Sequence, residues 1–460
     1  MYCYRIFSKK SEIAQVTPVF KTGEPTDPNN FRPISVLSIF SKILEKHIYY
    51  ELLSYMNSFD ILTAQQCGFR EGISTNIAIG KFLGRVLGAL NDGKFGVGVF
   101  LDLKKAFDCV DHGILLGKLF HYGVRGVPHR LIKSFLSDRR QYVKIGENKS
   151  YTASINIGTP QGSILSPLLF LVFINDIISS SSILNFNLFA DDTCVFLHDD
   201  DLNLLYHRLN VELVHVKNWI SANKLSLNLS KTVYLLFSGR KTLSNVPPLY
   251  LSNQPIQRKN STKFLGLIID DKLSWKEHAS FLHGKLSRLS GVFTKVRIFL
   301  PPTALKTLYY ALVHSHLNYG LVFWSTLNKT QFNKLFRLQK KFIRFIANSG
   351  RLAHTNPLFH NLSILKLEDL KKIEMSKFVF NDTRGPNFFE FSTQSSVHSH
   401  YTRNHLSLRL PHPRTNLLLK SVFYEGLKIF NSLDYDIKNC NNVHTFKFKL
   451  KCKLISSYDP

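Results

Sequence analysis

An α/β (α+β) fold is predicted by three features of the 460-residue sequence: two apolar, β-prone runs flanking Asp191-Asp192, a short apolar run ended by Asp102, and long stretches of helical periodicity. In chain order, the first helical periods run from Ser41 to Met56 and from Ile73 to Leu90, after a start rich in turn formers that includes Pro18, Pro25, Pro28 and Pro33. Gly96 to Leu101 then reads as a buried strand, and a helical pattern follows from near Lys104, with Leu115, Leu116 and Leu119 on one face. Leu168 to Ile174 is apolar and helical. Phe186 to Ala190 and Thr193 to Leu197 read as antiparallel strands. Residues 271–348 read as three helices, with Pro301-Pro302 between the first two. Pro, Ser, His and Asn crowd 383–416 as loops or a linker, before a last helical segment near Ser421 to Leu433.

The Asp191-Asp192 pair is the strongest chemical signal. It falls where a two-residue hairpin turn would favour Asn-Gly or Asp-Gly, because both central residues need positive φ. Two like charges about 4 Å apart also repel by roughly 4 kcal/mol at an effective dielectric near 20. A divalent cation removes that cost, whereas a solvated surface turn is the plainer reading of the pair alone. Asp102 adds a third carboxylate, and an acid in an apolar run must be paired, hydrogen-bonded or metal-bound to stay charged. A helix N-cap is its competing role. If both segments share one sheet, three hard oxygen donors converge as Mg²⁺ requires, and two such ions about 3.5–4 Å apart form the clamp used for in-line phosphoryl transfer.

Charge points the same way. The chain carries 59 Lys+Arg against 32 Asp+Glu, a net +27, which is an electrostatic footprint for nucleic acid. From 278 to 367 there is no Asp or Glu across 90 residues, where the chain average would place about six. Within that stretch Lys334, Arg337, Lys341 and Arg344 recur at 3–4–3 spacing, apart from an apolar stripe of Phe332, Leu335, Phe336, Phe342, Ile343 and Ile346. One face would pack while the other stays basic, unless acids elsewhere balance it. No apolar run approaches the roughly 18 residues of a spanning helix, and Met1 to Lys10 lacks the apolar core of a signal peptide. An intracellular protein without a membrane partner is expected. The six cysteines (3, 67, 109, 194, 440 and 452) include no CxxC pair, and Cys440, His444 and Cys452 lack zinc-knuckle spacing.

Five blocks occur in a telling order: Phe100-Leu101-Asp102-Leu103-Lys104-Lys105-Ala106-Phe107-Asp108, Gly158-Thr159-Pro160-Gln161-Gly162-Ser163, Phe189-Ala190-Asp191-Asp192, Leu227-Asn228-Leu229-Ser230-Lys231-Thr232 and Lys263-Phe264-Leu265-Gly266. They resemble motifs A to E of the reverse transcriptases of non-LTR (LINE, jockey-like) retrotransposons. Phe31-Arg32-Pro33-Ile34-Ser35 and Gln66-Cys67-Gly68-Phe69-Arg70 with Ser74-Thr75 resemble that group's fingers motifs. The resemblance covers roughly residues 15 to 345 and is sharpest from Phe31 to Gly266.

The resemblance implies a right-hand polymerase with fingers, an antiparallel-sheet palm and a helical thumb, acting as an RNA-directed DNA polymerase. Its partners would be an RNA template, a DNA primer or target DNA, and dNTPs. Asp102, Asp191 and Asp192 would be the catalytic metal ligands for two Mg²⁺ ions, with Mn²⁺ as a substitute. Lys231 matches a lysine proposed as general acid for pyrophosphate departure. Phe107 falls where the family has an aromatic gate against the ribose 2′-hydroxyl, although by pattern alone it is a core aromatic. Gln161 and Gly162 would lie under the nucleotide and template base, or else form a helix-entry loop. Arg32 and Arg70 are implied triphosphate or template contacts, and Lys334, Arg337, Lys341 and Arg344 would follow the template–primer backbone on a thumb helix.

On this reading residues 1–270 form fingers and palm, the fingers mainly 1–95 and 113–155; 271–348 form a thumb-like helical domain; and 349–460 form a basic C-terminal region of unknown role. The fingers look N-terminally truncated and there is no room for an endonuclease domain, so nicking would come from another protein. The implied location is the nucleus, in a ribonucleoprotein. A catalytically inactive, nucleic-acid-binding remnant of such an element is the alternative expectation.

Overall fold

The computed structural model describes residues 13–239, 246–396 and 407–458, so Cys3 and the stretch from Met1 to Lys10 lie outside the described residues. The chain divides into two compact units, one of residues 1–78, 97–234 and 243–258, the other of 79–96, 235–242 and 259–460.

The first unit carries two five-stranded sheets and a small ribbon of Tyr250–Leu251 with Gln254–Pro255. In the N-terminal one, Ile13–Phe20 and Phe31–Val36 pair antiparallel, with Val19 opposite Arg32, and Arg139–Ile145 runs parallel to Ile13–Phe20. In the second, the strand order is Gln257–Arg258, Val233–Phe237, Phe95–Leu101, Asp192–Asp199, Asn185–Phe189. All seven residues of Phe95–Leu101 are buried, as a central strand with both faces covered requires. The Asn185–Phe189 and Asp192–Asp199 pair is antiparallel, but the edge pair Gln257–Arg258 with Val233–Tyr234 is parallel, so the expected antiparallel palm sheet has one parallel margin.

Helices of this unit follow the predicted periods with shifted ends. Ile39–Ser58 buries Ser41, Glu45, Ile48, Leu52 and Met56 along one stripe. Ser166–Ile174 is buried at every position except Pro167, which suits a sequence apolar on all sides; each large apolar side chain there contributes about 1.5–3 kcal/mol relative to exposure. The helix expected from near Lys104 starts only at His112. Residues 106–109 form a single tight 3₁₀ turn, entered through Lys105 at φ 46°, and Asp111 caps the true helix by accepting from the Ile114 amide at 2.9 Å.

The second unit is mostly helical. It includes the hairpin Ser261–Phe264 and Leu267–Asp270, whose two-residue turn, Leu265-Gly266, takes positive φ at both positions as such turns demand. Lys276–Val296 and Lys329–Ile346 are long helices, whereas the predicted middle helix is interrupted: Pro302–Leu308 runs through a π turn, Tyr309–His314, into Ser315–Asn318, and Leu321–Trp324 follows past left-handed Gly320. Beyond residue 350 the structure holds more helix than the sequence predicts, notably Leu367–Arg384 and Val443–Ser456. Among the described residues no helix is long and apolar enough to cross a membrane.

Candidate active site

Asp102 is the residue that follows the buried central strand. Its backbone is fully engaged: the amide donates to Thr232 Oγ1 at 3.3 Å, and the carbonyl accepts from the Asn228 amide at 2.7 Å. Lys104 donates to the Ser226 carbonyl at 2.8 Å, and Leu103 bridges Leu227. The turn carrying exposed Lys231 is therefore stitched directly to the Asp102 segment, while the Asp102 carboxylate is left for other work.

The acidic hairpin sits one residue earlier than predicted. Phe189 pairs with Asp192, so the turn residues are Ala190 and Asp191, and Asp192 opens the second strand. The left-handed conformation falls on Ala190, at φ 56°, rather than on an acid. An L-residue there costs roughly 1–2 kcal/mol, and a buried clamp offsets it. The Gln66 side chain is 1% exposed; its Oε1 accepts from the Ala190 amide at 3.0 Å and the Gly68 amide at 2.7 Å. Cys67 donates to the Leu188 carbonyl at 2.8 Å, and Leu188 to the Gln65 carbonyl at 3.0 Å. Gly68 lies so close beneath the tip that a Cβ would stand 2.2 Å from the Ala190 nitrogen. The Gln66-Cys67-Gly68 block thus fixes the hairpin that carries both acids.

The charges of the three carboxylates are coupled. Burial, then the Asp102 charge, raises the Asp191 carboxyl above its ordinary value, while its own backbone hydrogen bond, Lys21 and Arg32 pull it down. Asp192 stands at a water-exposed lip, yet desolvation, then Asp191, then Asp102 push it up to about 6, with Lys21 opposing. Asp102 follows the central strand Phe95–Leu101, and Asp192 opens the strand beside it.

That donor set of hard oxygens fits divalent cations, because burial and neighbouring charge disfavour the ionised forms of Asp191 and Asp192 and a cation beside them removes that cost. Among the described residues no three metal-ligating side chains close into a preformed cage. Mg²⁺ usually takes one or two protein carboxylates and completes its shell with water and substrate phosphates.

The remaining predicted residues divide by placement. Phe107 is half-buried, stacked on Phe170 at 4.3 Å between ring centroids and edge-on to Phe69 at 6.2 Å. Gln161 donates from Nε2 to Asp108 Oδ1 at 2.8 Å, and its carbonyl accepts from the Ser35 amide at 2.7 Å. Gly162, at φ 123°, leaves no room for a Cβ, which would meet the Ser35 oxygen at 2.5 Å. Arg32 is exposed and its charge reaches Asp191. Arg70 is partly committed elsewhere, donating to the Leu62 carbonyl at 3.3 Å.

In the second unit, Lys334, Arg337 and Lys341 are exposed on Lys329–Ile346, but Lys341 donates to Ser290 Oγ at 3.2 Å. Arg344 is half-buried and donates to the Ala353 carbonyl at 2.9 Å, so the basic row is not uniformly free. Its packed stripe holds one polar residue the periodicity skipped, Gln339, which donates to Tyr309 Oη and the Leu365 carbonyl, both at 2.9 Å.

Two important residues escaped the sequence reading. Lys21 faces both acids electrostatically, but a lone lysine before Gly23 carries no pattern. Glu45 is fully buried and accepts from Ser41 Oγ at 2.9 Å, Ser163 Oγ at 2.6 Å and the Ile164 amide at 2.8 Å, anchoring the loop after Gln161. An acid on the apolar stripe of a helix was the available signal.

Comparison with known proteins identifies the family. The family model described as reverse transcriptase (RNA-dependent DNA polymerase) matches residues 19–269. A probable RNA-directed DNA polymerase from transposon BS of Drosophila melanogaster is 28% identical over 79% of this chain and 41% of its own length. The RNA-directed DNA polymerase from mobile element jockey of the same organism is 28% identical over 90% of this chain and 46% of its own. The chain thus spans less than half the length of these relatives. A telomerase from Candida albicans in complex with a telomeric RNA fragment matches with a TM-score of 0.44 at 12% identity, over 80% of this chain and 60% of that one, a likeness too distant to bear on the site. The chain belongs to the reverse transcriptase family, of the kind found in jockey-like non-LTR retrotransposons.

Proposed function

We propose that this chain is an RNA-directed DNA polymerase that extends a DNA primer on an RNA template by transfer of a deoxynucleotidyl group. The observation that supports the reading is that Asp102 and the Asp191-Asp192 hairpin belong to neighbouring strands, where the Asp102 charge is felt by both acids and those of Lys21 and Arg32 oppose it. Asp102 and Asp191 would hold two Mg²⁺ ions, which Mn²⁺ can replace, and Asp192 would complete or orient that set. When bound, such ions favour the ionised primer 3′-hydroxyl and neutralise charge on the phosphates.

The chain's own residues do the rest. Lys21 and Arg32, on the N-terminal hairpin, receive the triphosphate, where Arg supplies a bidentate fork and Lys a point charge. Phe107 presents its ring to the sugar, and Phe170 behind it blocks the retreat that a 2′-hydroxyl would demand. Gln161 is held by Asp108 and Ser35, so the base pair rests on a fixed amide beside Gly162. Lys231 donates a proton to departing pyrophosphate. Lys334, Arg337, Lys341 and Arg344 track the template–primer backbone.

Primer extension on RNA tests this reading, comparing the purified chain with Asp102→Asn and Asp191→Asn. Loss of extension in both variants, with template binding retained, supports it. A parent chain that binds template in a salt-sensitive way yet extends nothing at any Mg²⁺ or Mn²⁺ concentration overturns it and leaves a non-catalytic binding protein.

A further inference from the structure

The C-terminal helix Val443–Ser456 holds four lysines and no acid. Its inner face is anchored by Phe446, whose ring stacks on Phe380 of Leu367–Arg384 at 4.4 Å, and by buried Leu450. The lysines are not equivalent. Lys453 pairs with Asp434 at 2.5 Å, and Lys449 donates to the Asp436 carbonyl at 3.4 Å, so that flank is matched locally. Lys447 and Lys451, one turn apart on the other flank, have no acidic partner among the described residues.

A third lysine adds its charge from a different element. Lys306 lies on Pro302–Leu308, inside the acid-free stretch 278–367, and its charge reaches Lys451. After desolvation, Lys306 and Lys447 both hold the Lys451 ammonium below its usual range. The same two C-terminal lysines, again behind desolvation, help keep His314 of the π turn down at about 4, so the imidazole stays neutral and offers no counter-charge. Beside this row Phe448, one turn before Lys451, is 67% exposed. An unmatched cation cluster with an adjoining exposed ring offers phosphate contacts and a stacking platform side by side, the two elements of single-strand recognition.

We propose that Lys306, Lys447, Lys451 and Phe448 form a nucleic-acid-binding surface for a single strand, with phosphates on the three ammonium groups and a base on the Phe448 ring. This surface is built on elements other than the Lys334 to Arg344 row and requires no polymerisation. Phosphodiester chemistry is common to RNA and DNA, so either strand can occupy it.

Exposed Cys452, next to Lys451, gives a local readout in the full chain. Its alkylation by N-ethylmaleimide, followed by peptide mapping, is measured with a 20-nucleotide single-stranded RNA, a DNA of the same sequence and the corresponding duplex. Single strands are expected to slow Cys452 alkylation, with protection from RNA, DNA or both supporting the proposal. Lys447→Gln with Lys451→Gln removes that protection and lowers the salt dependence of binding by about 1.4 in logarithmic slope, roughly 0.7 for each lost phosphate contact. The Lys447→Arg, Lys451→Arg pair keeps both. Phe448→Ala weakens protection about tenfold, and Phe448→Trp restores it. Unchanged alkylation in the presence of bound single strand, protection that survives the glutamine pair, or a duplex that protects as well as a single strand would each overturn the assignment.

Discussion

Gly68→Ala is the most searching perturbation of the site, because it touches no proposed ligand and yet strikes the hairpin that carries two of them. A Cβ at position 68 would stand 2.2 Å from the Ala190 nitrogen and 2.9 Å from the Phe189 carbonyl carbon. Ordinary non-bonded contacts begin near 3.2–3.5 Å, so the hairpin must retreat by about 1 Å. Both sides of the clash are backbone, hence no rotamer change can absorb it. Gln66 resists the retreat, since its Oε1 bonds span the Gly68 and Ala190 amides. A displacement of about 1 Å at reacting groups can cost about 10²-fold in rate. Single-turnover primer extension on RNA should therefore slow about 100-fold in Gly68→Ala, with circular dichroism unchanged and template affinity within about twofold. Gly88→Ala is the control: it lies within Thr75–Asn91, a Cβ there meets nothing within 4 Å, and helix propensity predicts a gain of about 0.5–1 kcal/mol with activity retained. Parental extension rates in Gly68→Ala would refute the clamp and the geometry built on it.

The other predictions concern charge, burial and selectivity. Glu45→Ala strands Ser163 Oγ and the Ile164 amide without their acceptor and should lower unfolding free energy by about 2–4 kcal/mol in urea titration; a change below about 0.5 kcal/mol would contradict the buried network. For Asp192 the folded carboxyl lies above its ordinary value, at about 6, so the folded state binds the extra proton between about 4 and 6 and stability falls as pH rises through that window. Without metal, the melting temperature of the parent should fall between pH 4.5 and 6.5 relative to Asp192→Asn, and Mg²⁺ should recover more at the higher pH; parallel profiles would remove Asp192 from the cluster. Phe107→Ala opens the space before Phe170, so the preference for dNTP over rNTP should drop at least tenfold in single-nucleotide incorporation. Lys21→Ala should raise the KM for dNTP with a smaller effect on kcat, and an unchanged KM would take Lys21 out of the triphosphate site.

How far the sequence could be read depended on how local the determinants were. Asp102 was legible because an acid ending a fully apolar strand has few uses, and the two runs beside Asp191-Asp192 announce a hairpin by composition alone. The exact turn was not legible: Ala190 takes the left-handed position because Gln66 and Gly68, more than 120 residues earlier, hold it there. Lys104 to Cys109 looked helical by period, yet the turn is drawn out of helix by hydrogen bonds to neighbouring loops, with Lys104 donating to Ser226 and Phe107 accepting from Thr159. Leu367–Arg384 was hidden because Asp369, Glu374 and Asp382 are buried among its apolar residues and blur the amphipathic pattern. Lys372 and Lys377 neutralise the first two, and Tyr458 donates to Asp369 at 2.7 Å. In Val443–Ser456 the alternation of Phe446, Phe448 and Leu450 with lysines has the period of a strand, and packing of Phe446 on Phe380 decides for helix.

The central claim is templated DNA synthesis at the Asp102, Asp191 and Asp192 cluster, and its most direct test is single-nucleotide incorporation by the parent chain on an RNA template with each base in turn at the first unpaired position. Mg²⁺-dependent addition of the complementary deoxynucleotide is expected opposite every base, and Asp191→Asn should abolish it. Addition that ignores the template base, or that persists in Asp191→Asn, would contradict it.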